Sequence, residues 1–230
     1  MAMLINTEIY DVLSAGLTLD EYSRIFDLRF TQLKEAAILD AGAGYNSFAA
    51  EANSLGLNVK ACDLQYGFSA DMLEKKHKII IAKMYEIIHN AKFDAGWDYY
   101  KKDLALKANK ENTSKLFFED IRKGNLNRYI NTNLPFTIFT DKEFDITLVS
   151  NFMFSKEVSL DYYFDCLVEL IRITKEEIRI FPIENLYWEK SNLIDTMNKE
   201  GQFGKCRFEV KKVDFEIFKG INEYLSVSIL

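Results

Sequence analysis

Residues 36–66, AAILDAGAGYNSFAAEANSLGLNVKACDLQY, constrain this chain most. Two short apolar runs each end in an aspartate, Asp40 and Asp63, and a glycine-bearing turn and a short helical stretch separate them. Short apolar runs bounded by turn residues read as buried strands, and Gly56 closes the helical stretch between them as a C-terminal cap. Strand, helix and strand in that order form a parallel unit with a right-handed crossover.

The alternation continues. "TLDEYSRIFDLRFTQLKE", about residues 18–35, reads as an amphipathic helix in which Thr18 and Glu21 have capping-box spacing. Residues 69–125 read as helical and are far longer than one crossover requires, so they are taken as an insertion after the second strand. "NRYI" begins a third strand and residues 144–154 a fourth. "SLDYYFDCLVELIRIT" is a helix, "EIRIFPI" a fifth strand and "NLYWEKSNLIDTMNKEG" a last helix. "CRFEVKKVDFEIF" and "NEYLSVSIL" are two strands with no helix between them, so they pair antiparallel. The expectation is an α/β fold in one domain over residues 1–230. It has a mostly parallel seven-stranded sheet, an antiparallel C-terminal strand and helices on both faces.

At 48% apolar residues the chain can build a substantial core, and its net charge of −6 argues against general nucleic-acid or anionic-membrane binding. Three scattered cysteines form no metal pattern, and no long uncharged apolar run or leader pattern is visible. A soluble cytoplasmic protein is expected, monomeric or homodimeric, with no metal, nucleic acid or membrane partner.

In a doubly wound sheet, ligands bind beyond the carboxyl ends of the strands, where "DAGAGYN" lies. Gly42 and Gly44 let backbone turn tightly and approach a ligand. Asp63 follows Asp40 by 23 positions at the end of the neighbouring strand, where a carboxylate can accept both hydroxyls of a ribose. A dinucleotide fingerprint would carry its third glycine where Ser47 stands, and Asp40 would repel a pyrophosphate. A cationic nucleoside without phosphate fits the charge better, and S-adenosyl-L-methionine is such a metabolite.

The segment "ILDAGAGYNSFAAEANSLGLNVKACDLQY" resembles the first two motifs of the class I S-adenosylmethionine-dependent methyltransferases. The resemblance extends to "RYINTNLPFTIFTDKEFDITLVSNFMFS", "LVELIRITKEEIRIFPI" and "FEIFKGINEYLSVSI", covers most of residues 20–230, and is closest to a bacterial subgroup. It implies a Rossmann-like fold and methyl transfer to a small-molecule acceptor. It places Asp40, Gly42, Ala43 and Gly44 along the methionine and ribose, Asp63 on the ribose hydroxyls, and Leu64, Asn133 and Leu134 around the adenine. Ser150 and Asn151 fall near the methyl group. Asn46 stands where many relatives have a third glycine, and asparagine tolerates left-handed backbone.

No general base is evident, because Asn151 can orient a substrate but not take its proton at neutral pH. Three readings stay open: an acceptor needing little deprotonation, a base from elsewhere, or a chain that binds the cofactor without chemistry. A nicotinamide-dependent oxidoreductase is a further alternative, disfavoured by Ser47 and Asp40. Tyr22 and Arg24 are candidates for the methionine carboxylate if the N-terminal helix folds over the cofactor. Tyr45 could shield the sulfonium, and Trp97, Tyr99 and Tyr100 could wall a pocket. His77 and His89 are expected to face solvent, Cys62 to be buried and inert, and "DYYKKDLALKANKEN" to be solvated and mobile.

Overall fold

Strand β1 (Ala37–Ala41) lies at the centre of the molecule, paired in parallel with β2 (Asn58–Cys62) on one side and β4 (Phe144–Ser150) on the other. The computed structural model describes residues 14–89, 97–101, 103–124, 127–150, 159–183, 197–198, 203–216 and 219–230. The sheet has seven strands in the order β3-β2-β1-β4-β5-β7-β6, with β3 at Tyr129–Ile130, β5 at Thr174–Phe181, β6 at Cys206–Lys212 and β7 at Glu223–Ile229. β7 alone runs against the rest, pairing antiparallel with both β5 and β6. This is the Rossmann-like architecture expected from the sequence, a mostly parallel seven-stranded sheet with an antiparallel C-terminal strand and helices on both faces, and a connection too short for a crossover helix accounts for its reversed strand.

Alternation along β1 divides the core. Ile38 packs with the helices α1 (Leu19–Ile25), α3 (Phe48–Ser54), α4 (Ala70–His89) and α6 (Asp103–Ile121). Leu39 and Ala41 pack on the opposite face against α7 (Leu160–Ile173), whose Tyr163, Cys166, Leu167 and Leu170 are fully buried. Two short helices, α2 (Phe30–Leu33) and α5 (Trp97–Tyr100), and a 3-10 turn at Leu64–Gly67 complete the described elements.

The helix expected over 18–35 is two pieces. The Thr18–Glu21 capping box forms as expected. The chain then leaves the helix at Phe26, with Asp27 in the left-handed region (φ 47°). The Leu28 N–H donates back to the Ser23 carbonyl at 2.9 Å, the long bond of a Schellman ending. Arg179 of β5 donates to the carbonyls of both Phe26 and Asp27, so a tertiary partner replaces the missing helical bonds. The third strand is shorter than "NRYI", and β6 stops at Lys212. The expected last helix, most of it in residues 184–196, lies outside the described residues, as do residues 151–154.

Most described side chains of residues 98–112 are exposed or partly exposed, as the solvated reading expects, yet the stretch is anchored in the core at a few points. Leu106 and Lys110 of α6 are buried. The Lys110 ammonium donates to the Glu21 carboxylate at 2.7 Å and to the Gly16 carbonyl at 2.8 Å. Glu21 also accepts from Tyr100. His77 is likewise buried, with 3% exposure, rather than facing solvent. Its Nε2–H donates to the Ala15 carbonyl at 2.9 Å, and its ring packs on Tyr45 with centroids 4.5 Å apart. Two consecutive carbonyls of segment 14–18 are thus held by side chains of the insertion. At Gly16 (φ +100°) an added Cβ would stand 2.5 Å from the Tyr45 carbonyl oxygen, so the segment can pass only as glycine.

The Lys110–Glu21 pair is sealed from water, so removing one partner strands a buried charge. Lys110→Met should lower stability by about 3–5 kcal/mol, and pairing it with Glu21→Gln should recover part of the loss. Urea denaturation of the two variants checks this; equal stability of Lys110→Met and the unsubstituted chain would refute it.

Candidate active site

Strand parity brings the candidate site together. Ile38 and Asp40 of β1, Ile146, Leu148 and Ser150 of β4, and Val59 and Ala61 of β2 all belong to the face covered by α1 and α3. Asp63 follows two positions after Ala61. Three polar side chains therefore gather at the carboxyl ends of three adjacent parallel strands, under α1.

Asp40 is fully buried, and its partners come from other elements. The Tyr22 hydroxyl of α1 donates to Asp40 Oδ1 at 2.7 Å and lies 2.5 Å from Ser150 Oγ. Asn46 Nδ2 donates to the Tyr22 hydroxyl at 2.6 Å and to Ser150 Oγ at 3.0 Å. Asn46 Oδ1 accepts from the Leu17 N–H at 2.8 Å. The Tyr22 ring stacks on Phe48 of α3, with centroids 4.3 Å apart and planes at 6°. The remaining carboxylate oxygen, Asp40 Oδ2, is buried and, among the described residues, lacks a partner of normal hydrogen-bond geometry. Burial pushes the Asp40 carboxyl up to about 7, against the pull of the Tyr22 and Asn46 hydrogen bonds, and the charge of Asp63 adds to the rise. Tyr22 is raised well above its ordinary range by burial and by the Asp40 charge.

Above this cluster the glycine turn is tightly held. Gly42 and Gly44 have φ of 66° and 52°. The Asp63 carboxylate accepts from the Gly44 N–H at 3.0 Å and from the Gln65 N–H at 2.9 Å, so it fastens the turn to the end of β2. Burial raises the Asp63 carboxyl, and the backbone hydrogen bonds from Gln65 and Gly44 oppose the rise. Tyr66 closes the turn from below, donating to the Gly44 carbonyl at 2.9 Å.

A cavity of about 230 Å³ opens against the turn. Gly42, Ala43, Gly44, Asp63 and Ser150 line it, joined by Ser14, Tyr45, Asn46, Gln65 and Ile80. Asp40 and Tyr22 stand behind this wall and meet the cavity through Ser150 and Asn46. Leu64 is 61% exposed on the turn after β2. Leu134 is buried in the core of the α7 face and Asn133 bridges to Phe136, so neither lines the cavity. Arg24 pairs with Asp20 at 2.9 Å and lies over the Tyr99 ring, away from the cluster. Cys62 is buried, and burial raises its thiol to about 12. Asn151 and the side chains of His89 and Trp97 lie outside the described residues.

Asn46 has no left-handed backbone. Its side chain, rather than its conformational tolerance, is what the site uses, and spacing alone did not signal that. Gln65, Ile80 and Ser14 were also not singled out; an apolar residue in an insertion helix gives no local sign that it will wall a cavity.

No model of a known protein family matches the chain. A curated relative is the uncharacterised protein MJ0045 of Methanocaldococcus jannaschii, 37% identical over 220 residues, which cover 94% of this chain and 96% of the relative. The chain belongs to that protein's family. The family thus has an archaeal member, whereas the sequence resemblance is closest to a bacterial subgroup. Similar solved structures include a TehB-like SAM-dependent methyltransferase from Corynebacterium glutamicum (15% identity, 90% of this chain and 86% of that one, TM-score 0.47). Another is the PH0226 protein from Pyrococcus horikoshii (15% identity, 91% and 89%, TM-score 0.49). A third is a putative S-adenosyl-L-methionine-dependent methyltransferase from Methanococcus maripaludis (12% identity, 96% and 85%, TM-score 0.46). Among the described residues no helix is long and apolar enough to cross a membrane.

The raised Asp40 carboxyl makes stability depend on pH with a defined sign. Its folded value of about 7 lies above an unfolded value of about 3.9. Folding therefore favours the neutral acid. That contribution is complete below about pH 4 and is lost as pH rises through about 7, a change on the order of 4 kcal/mol. Asp40→Asn should gain stability relative to the unsubstituted chain across this window. Urea midpoints at pH 5 and pH 8 measure it, and a difference that does not change with pH contradicts the assignment.

Proposed function

We propose that the chain is a single-domain enzyme that binds S-adenosyl-L-methionine in the cavity at the Gly42–Gly44 turn and transfers its methyl group to a small-molecule acceptor. The carrying observation is the donor set. A bare glycine turn and one carboxylate, Asp63, face the cavity, with a second carboxylate, Asp40, sealed directly behind it. Such a wall suits a cationic nucleoside and repels a pyrophosphate.

The start of α3 supports the same choice. A dinucleotide would need the free N–H groups there. The Ser47 N–H donates to the Leu17 carbonyl at 3.0 Å, and Leu17 is itself tied to Asn46. That end of the helix is covered by the chain's own backbone, which weighs against the nicotinamide alternative.

In this reading Asp63 holds the ribose hydroxyls and Gly42, Ala43 and Gly44 lie along the methionine side. Leu64, exposed on the turn after β2, borders the adenine in place of the buried Leu134, and Ser150 and Asn151 lie beside the reacting end. Asp40 and Tyr22 act from behind the wall. The cofactor supplies a methyl group already activated by the sulfonium charge. The chain's own task is to align an acceptor and exclude water. The buried Tyr45, the partly buried Ile80 and segment 14–18 serve the second part. The protein is cytoplasmic, monomeric or homodimeric, and does not act on nucleic acid.

Calorimetry with S-adenosylhomocysteine tests the reading. Binding is expected, and Asp63→Ala should weaken it by roughly 10–100-fold, the worth of charge-assisted hydrogen bonds. In a thermal-shift comparison S-adenosylhomocysteine should stabilise the chain and NAD should not. Stabilisation by NAD alone removes the proposal.

A further inference from the structure

The hydrogen-bond cluster behind the cavity has a fixed direction. Asn46 Nδ2 can only donate, and it donates to both hydroxyls, Tyr22 and Ser150. An ionised Asp40 can only accept, so the single Tyr22 proton points to Asp40 Oδ1. The Tyr22 oxygen then has to accept from Ser150, whose own proton therefore points inward across the 2.5 Å contact. Ser150 Oγ keeps one lone pair after accepting from Asn46, and Ser150 lines the cavity. With Asp40 ionised, every proton in the chain Ser150–Tyr22–Asp40 points away from the cavity, and the open end is an acceptor facing it.

We propose that Asp40 is the proton acceptor of this site, reached from the cavity through Ser150 and Tyr22; this rests on the methyl-transfer reading above. Ser150 Oγ takes the proton of an acceptor group X–H as the X–C bond forms and the sulfur–carbon bond breaks, with that bond's electron pair staying on sulfur. Ser150 passes its own proton to Tyr22 Oη, and Tyr22 passes its proton to Asp40 Oδ1. The positive charge on sulfur and the negative charge on Asp40 disappear together, so no net charge is left in the buried site. The acceptor is therefore a protic nucleophile, a hydroxyl, thiol or N–H group that must lose its proton. The neutral Asp40 is reset when the next cationic cofactor arrives and drives the proton out.

The geometry alone makes Asp40 the terminus, because its second oxygen is buried and has no partner of normal geometry among the described residues to pass the proton on to. The groups that act on it electrostatically include Asp63 and Cys62 at the end of β2, Tyr66 on the following turn, Tyr129 of β3 and Tyr22. Burial raises all five, and Asp63 is the one among them that ionises below neutrality in its ordinary range. Asp40 itself is brought near 7, where it can both take and release a proton.

The test counts protons and needs no acceptor substrate. Calorimetric titrations at pH 7 in buffers of different ionisation enthalpy give the protons released on binding. S-adenosylmethionine, a cation, should expel about half a proton from the unsubstituted chain, and S-adenosylhomocysteine, which lacks the sulfonium charge, distinctly less. In Asp40→Asn the difference between the two ligands should shrink to the part contributed by the ligands' own amines, and subtracting it leaves the share of Asp40. Tyr22→Phe keeps the ring stacked on Phe48 but takes a hydrogen bond from the carboxylate. Its release should rise toward one proton, with the midpoint displaced to higher pH. Binding of both ligands with equal proton counts, or a difference just as large in Asp40→Asn, overturns the proposal and leaves the cofactor reading standing. Absence of binding by either ligand removes the cofactor reading itself and this proposal with it.

Discussion

A carboxyl group at the end of the central strand, closed off from water, has to find its partners inside the protein, and much of this structure follows from that. An unpaired buried carboxylate costs several kcal/mol, so Asp40 cannot be placed without a donor. Tyr22 supplies it and thereby fixes α1 across the carboxyl edge of the sheet. The same hydroxyl meets Asn46 of the glycine turn and Ser150 of β4. One oxygen atom thus ties together the N-terminal helix, the turn and two strands. Stacking of Tyr22 on Phe48 extends the tie to α3.

The insertion serves the same assembly from outside. Segment 14–18 runs between the glycine turn and the two long helices α4 and α6. His77 and Lys110 hold its Ala15 and Gly16 carbonyls, while Leu17 is bonded at both its N–H and its carbonyl to the turn. A buried ion pair such as Lys110–Glu21 is poor value as pure stabilisation, since desolvation offsets most of the Coulomb attraction. Its use here is positional: it holds the segment that carries Ser14 to the cavity and the capping box of α1 in one place.

Much of the architecture was legible because it depends on local signals. "AAIL", ending at Asp40, and "LNVKAC", ending at Asp63, are short apolar runs closed by an aspartate, and they became β1 and β2 to within a residue or so at each end. The reversed strand followed from a connection with no room for a helix. What was not legible depends on partners distant in sequence. The break after Ile25 has no glycine or proline to mark it; Arg179, 153 positions from Phe26, supplies the compensating donors. His77 and Lys110 looked like ordinary polar residues of a helix because their carbonyl partners lie 62 and 94 positions away. Asp40 was read as facing the ligand directly. Strand parity turns it under α1 instead, and only the position of Tyr22 shows that it communicates with the cavity through hydroxyl groups.

The central claim is that the space between the Gly42–Gly44 turn and Asp63 takes a nucleoside with a sulfur centre beside Ser150. A crystal structure with S-adenosylhomocysteine measures this most directly. The account predicts the ribose hydroxyls on the Asp63 carboxylate and the sulfur on the Ser150 side of the cavity, with Asp40 still sealed behind Tyr22. Density for the ligand anywhere else, or a cavity left unfilled at saturating concentration, would contradict it.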